Sequence, residues 1–144
     1  MRSELNGEKC QVKMSLWTHV IGSIRIDGLP KINEEVYNVG VVEAVLGPMS
    51  TFDEPNEECT LPMGSEGSLA YRVIEYDTGL PWIVIPIWGD LRDFGKKEDI
   101  NRIVEWWHKL LDTFVKKQFM IRDVVLRIED ENGFKIVLNG DETE

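Results

Sequence analysis

The sequence predicts an α+β domain, a mostly antiparallel sheet with two helices on one of its faces. Three observations carry the prediction. Residues 15–27, "SLWTHVIGSIRID", alternate with period two, as a half-buried strand does. Residues 97–117 place apolar side chains at i, i+3, i+4 and i+7, the stripe of an amphipathic helix. Near the C-terminus an Asn-Gly pair, Asn132-Gly133, separates two apolar runs, a short-range hairpin signal.

Taken in order, the first strand sets Leu16, Thr18, Val20, Gly22, Ile24 and Ile26 on one face. Trp17, His19, Ile21, Ser23 and Arg25 take the other. "DGLPK" breaks the strand. Asn33 then reads as a helix N-cap, with Glu34 and Glu35 in the first turn and Ile32 and Tyr37 at hydrophobic-staple spacing. Val36, Val39, Val42 and Leu46 form the stripe of this helix, and Gly47-Pro48 ends it. Its valines and Gly40 are weak helix formers, so packing must supply most of its stability. Residues 47–67 show no periodicity and read as a long loop. Strand patterns resume in "SLAYRVIEY", 68–76, and "WIVIPIW", 82–88, joined by the turn "DTGLP". Pro86 has no N–H to give a ladder and predicts an edge strand or a bulge. "GDLRDFG" leads into the long helix, which carries Glu98 and Asp99 early and Lys116 and Lys117 late, as its dipole favours. "FMIRDVVLRIE" and "FKIVLN" complete the chain as a hairpin. The order matches a ferredoxin-like β-α-β-β-α-β plan with an additional C-terminal hairpin strand and both helices on one sheet face. Residues 1–14 are read as a flexible leader, 15–139 as a single domain and 140–144 as an acidic tail.

A length of 144 residues suffices for one domain with its own core. A formal charge of −10 argues against a general nucleic-acid binder, which needs a basic face. It suits an acidic surface that meets a basic groove on another protein. Cys10 and Cys59 are read as reduced thiols; together with His19 and His108 they lack zinc-ligand spacing. No apolar run reaches membrane-spanning length, and "MRSELNGEKCQVK" has no apolar signal-peptide region.

Four groups of residues are candidates for chemistry or binding. In "MGSEGS", Gly64, Ser65, Gly67 and Ser68 could turn amides toward an anion, with Arg72 or Arg92 supplying charge. The stretch lacks the lysine and the strand-to-helix setting of a phosphate loop, so a tight turn explains it equally. Asp90 and Asp93, joined by Glu66, could hold Mg²⁺ for a metal-assisted hydrolase, or could cap the helix and pair with Arg92. His19 and His108 have no nucleophile at triad spacing; His108 sits on the polar side of its helix and His19 on the Trp17 face, where a packing or hydrogen-bond role is expected. Five tryptophans are many for this length, and Trp88 and Trp106, at element edges, mark a partner or self-association surface.

The segments "LWTHVIGSIRID", "LPMGSEGSL" and "IWGDLRDF" resemble small uncharacterised proteins encoded by bacteriophages of Gram-positive bacteria. The likeness spans residues 14–94, and the amphipathic helix follows in the same order. It implies a phage accessory protein acting in the host cytoplasm, a class that often inhibits host defence. The leading expectation is a non-catalytic binding protein without a cofactor. Its acidic surface, Asp53, Glu54, Glu57, Glu58, Glu66, Glu129, Asp130 and Glu131 with Trp88 and Trp106, would occlude the basic groove of a CRISPR or other nucleic-acid-handling defence effector. It would touch neither nucleic acid nor membrane directly and could form a homo-oligomer. The alternatives are a sponge for a cyclic nucleotide, the hydrolase above, and a phage structural or assembly component.

Overall fold

The structure, a computed structural model, describes residues 16–27, 31–32, 35–36, 39–78 and 80–139. The expected leader with Cys10, the acidic tail, and the helix-start residues Asn33, Glu34 and Tyr37 lie outside the described residues. In chain order the elements are β1 (Trp17–Asp27), β2 (Lys31–Ile32), β3 (Glu35–Val36), α1 (Val39–Leu46), β4 (Met63–Gly64), β5 (Gly67–Ser68), β6 (Ala70–Tyr71), β7 (Ile74–Thr78), β8 (Leu80–Arg92), α2 (Lys97–Lys116), β9 (Ile121–Asp130) and β10 (Lys135–Asn139). The class is α+β, as the patterning predicts. The main sheet runs β10-β9-β1-β8-β6, with β7 also beside β8, and its pairings are antiparallel.

The architecture departs from the expected plan at three places, each with a physical reason. The first helix begins at Val39, not near residue 33, and β2 pairs with β3 just before it. Its first turn carries no acidic residue, and its valines and Gly40 propagate helix poorly. The strand expected over 68–76 is divided into the end of β5, then β6 and β7. Pro86 explains the division between β6 and β7. Its carbonyl accepts the Arg72 N–H at 3.2 Å, but it has no N–H to return, so the ladder opens there. Pro86 therefore sits in an inner strand, at a gap in the neighbouring edge. Finally, β8 continues through Trp88, Gly89 and Asp90 to Arg92, because β1 pairs with it out to Trp17↔Arg92. Asp90 is thus a strand residue and not part of a helix leader.

One face of the sheet forms the core. Val20, Ile24 and Ile26 of β1, Ile83, Ile85 and Ile87 of β8, and Leu126 and Ile128 of β9 are buried there. Trp107, Phe114 and Ile103 of α2, with Val42 and Leu46 of α1, cover them. Phe119 meets Phe114 edge to face at 5.4 Å, and burying each such ring contributes on the order of 2–3 kcal/mol. The Tyr71 hydroxyl donates to the Gly47 carbonyl at 2.7 Å and ties the end of α1 to the sheet; burial pushes its pKa up. No layer covers the opposite face of the sheet among the described residues. No described helix is long and apolar enough to cross a membrane.

The aperiodic segment is held by its own polar side chains. Ser50 Oγ accepts the Asn56 N–H at 2.9 Å, Thr51 Oγ1 accepts that of Glu54 at 2.9 Å, and Asn56 Oδ1 accepts that of Glu58 at 2.8 Å. Leu61 anchors its far end in the core.

Candidate functional site

The "MGSEGS" stretch is a minimal hairpin, β4 and β5 closed by Ser65 and Glu66. Its amides serve the fold. Ser65 N–H donates to the Arg92 carbonyl at 2.9 Å, and Ser68 N–H to the Ser50 carbonyl at 2.8 Å. Gly64 lies so close to the end of β8 that a Cβ would sit 2.5 Å from the Arg92 carbonyl oxygen. Gly67 has φ +137°, which an L side chain rarely adopts. Both glycines are therefore required by backbone approach and conformation. These amides point into the protein and not toward a bound anion.

The hairpin instead delivers Glu66 to Arg92, with which it forms an ion pair. The Arg92 guanidinium also lies 5.9 Å from the Trp17 ring centroid. Next to it, Ser65 Oγ donates to Asp93 Oδ2 at 2.7 Å, and Asp93 adopts φ 56° at the exit from β8. The loop carrying exposed Asp53, Glu54, Glu57 and Glu58 is rooted on the same hairpin through a Thr51↔Gly67 bridge.

His19 is the hub of this end of the sheet. The β1 register sets it opposite Asp90 of β8 and Glu129 of β9. Its Nδ1 lies 2.7 Å from Asp90 Oδ1, and its Nε2 lies 3.7 Å from Glu131 Oε2 in the β9–β10 turn. The Asp90 hydrogen bond raises the imidazole pKa; partial burial opposes this, and the charges of Asp90 and Glu131 add to it. Asp130 is a turn residue, whose Oδ1 accepts the N–H groups of Asn132 and Phe134, each at 2.9 Å. Carboxylates from four separate segments, residues 53–58, Glu66, Asp90–Asp93 and Glu129–Glu131, are thus gathered at one end of one sheet.

The uncovered sheet face continues from this hub. Arg127, Ile21 and Trp88 stand in one row across β9, β1 and β8. With His19, Asp90 and Glu129 they line a shallow depression of about 500 Å³. Ile21, Trp88, Val125 and Val137 are 55%, 42%, 43% and 46% exposed, an unusual amount of apolar surface for adjacent strands. At the far end, Tyr76 stacks on Trp82 at 4.3 Å and Arg25 covers that ring at 4.4 Å.

The remaining candidates lie elsewhere. Arg72 is beside Pro86, six residues along β8 from Arg92, which puts about 20 Å between the two arginines' strand positions. Trp106 is half-buried on α2, in a groove with Leu61, Pro62 and Met63 behind the sheet. Asp90 and Asp93 have separate partners, His19 and Ser65, and no described group of three His, Cys, Asp or Glu side chains could hold a metal ion. His108, expected in solvent, has its Nε2 buried without a hydrogen-bond partner among the described residues, as does Trp107 Nε1. Of the residues at the hub, sequence reasoning gave His19 a packing or hydrogen-bond role and passed over Arg127. The strand alternation placed His19 on the correct face, and the same count along "VVLRIE" would have placed Arg127 beside it. Comparison with family models, with curated proteins and with solved structures finds no match.

Proposed function

We propose that the protein is a non-catalytic binding protein whose acidic sheet end docks on a basic groove of another protein. The observation that carries this reading is the convergence of Glu66, Asp90, Glu129 and Glu131 around His19 and Arg92, with the acidic loop 53–58 rooted beside them. An excess of carboxylates at one end of a −10 chain steers it toward a cationic surface. The chemistry of the groove points to a protein that handles nucleic acid, since its own function requires it to be basic. The resemblance to phage accessory proteins makes a host defence effector in the cytoplasm the partner we favour. As to fold, we read the domain as a ferredoxin-like plan carrying an extra edge strand, a reading supported by β9, β1, β8 and β7 lying side by side and antiparallel.

The test uses purified CRISPR-type nucleases on a sensor carrying the immobilised protein, at a series of salt concentrations. Binding should occlude the nuclease's DNA and weaken steeply as salt rises. Binding that ignores salt, or DNA cleavage unimpaired in the complex, rejects the reading. Heat on mixing with a cyclic-nucleotide panel in calorimetry would turn it toward sequestration of a small molecule.

A further inference from the structure

The open sheet face is a feature the acidic end does not account for. Its exposed Ile21, Trp88, Val125 and Val137 lie on four adjacent strands. We propose that this face is the contact between two copies of the chain, packed sheet to sheet about a two-fold axis parallel to β1.

Charge is the first argument. The molecule carries −10, and two acidic copies repel each other over most of their surface. On this face acidic residues are not in excess: Arg25, Arg72, Arg127 and Lys135 lie among Asp90, Asp123 and Glu129. It is the region where a second copy meets no net repulsion.

Area is the second argument. The strands of the sheet at their own lengths, with about 4.8 Å spacing and about 3.3 Å rise per residue, give on the order of 700 Å². That is about the area each partner contributes to a standard stable interface.

Register supplies the third. An axis along β1 lays β9 of one copy over β8 of the other, with rows preserved. Arg127 and Trp88 share a row through Ile21. The Arg127 guanidinium, which has no partner among the described residues, then faces the exposed Trp88 ring of the second copy, and the contact occurs twice. Ile21 meets its own equivalent on the axis. With the axis along β1 the two central strands run parallel, and His19, Asp90 and Glu129, two residues along from Ile21, Trp88 and Arg127, lie at the border of the contact. The dimer thus borders the docking surface above, and the mass of the purified chain tests it with no partner present.

Sedimentation and light scattering over a concentration series test the proposal. The wild type should have the mass of two chains of 16.6 kDa each. Ile21→Glu should be a monomer with unchanged circular dichroism, since residue 21 is exposed and its replacement leaves the core intact. Arg127→Ala should raise the dimer dissociation constant about tenfold. Phe52→Glu, altering an exposed apolar residue of the long loop, should leave the dimer intact. A wild type that stays monomeric at about millimolar concentration overturns the proposal, and so does a dimer that survives Ile21→Glu or is lost in Phe52→Glu. Burial of the face only on adding a different protein assigns it to that partner instead.

Discussion

His19 owes its environment to two carboxylates on separate elements, and this sets how it titrates. Because Asp90 and Glu131 raise its pKa above 6.5, the imidazolium is favoured in the folded state. The stabilisation is complete below that ordinary value and is lost as pH rises through the raised one. Half-exposed, the pair contributes less than about 1 kcal/mol. NMR titration should therefore find the His19 midpoint above 6.5 in the wild type and lower in Asp90→Asn. The stability gap between wild type and His19→Gln should be widest below the ordinary value of 6.5 and should close as pH rises through the raised midpoint. An unchanged midpoint in Asp90→Asn would show that the hydrogen bond does not govern the titration. Strand alternation made the face of His19 legible, and a local packing or hydrogen-bond role follows from it. Its partners were not legible, because Asp90 is 71 residues away in sequence and only the β1–β8 register brings it near.

Among the elements, α2 is the one whose sequence, position and caps agree. Its Asp99 carboxylate accepts the Gly95 and Lys96 N–H groups at 3.2 Å each and pairs with Arg102. Burial alone would raise the Asp99 pKa; the Arg102 and backbone hydrogen bonds outweigh it and hold the carboxyl below its ordinary value. Asp99→Ala should cost about 1 kcal/mol in denaturant unfolding. Because the pKa is lowered, that loss should vanish as acid protonates Asp99 in the wild type. A loss that persists unchanged in acid would assign the effect to packing. The β4–β5 hairpin makes the opposite case. Its glycines signalled a turn, but nothing local said that the turn abuts Arg92. Gly64→Ala should destabilise by about 1–3 kcal/mol, since the added methyl meets backbone that cannot yield cheaply. A Tm equal to wild type would mean that the hairpin can lift off β8. The elements misread from sequence, the late start of α1 and the split at Pro86, were decided by pairing partners far along the chain, which local propensity does not contain.

For the molecule as a whole, the question is whether charge acts locally or only through its sum. If the docking site is the acidic end, reversing Glu57 and Glu58 to lysine should weaken binding to a basic effector far more than an equal reversal at Glu98 and Asp112 on α2. Both double variants change the net charge by the same amount, so long-range attraction is matched, and circular dichroism checks that α2 stays folded without the Asp112–Lys116 ion pair. Two close contacts at about 0.5–1 kcal/mol each imply a loss of about five- to thirtyfold at low salt. The loss should shrink as salt rises, because screening removes the attraction from wild type and variant alike. Surface plasmon resonance at two or three ionic strengths reads both effects, and the deficit should lie partly in the association rate, where steering acts. Equal losses from the two reversals would mean that the partner senses only overall acidity, and the gathering of carboxylates around His19 would then be a matter of solubility and not of recognition.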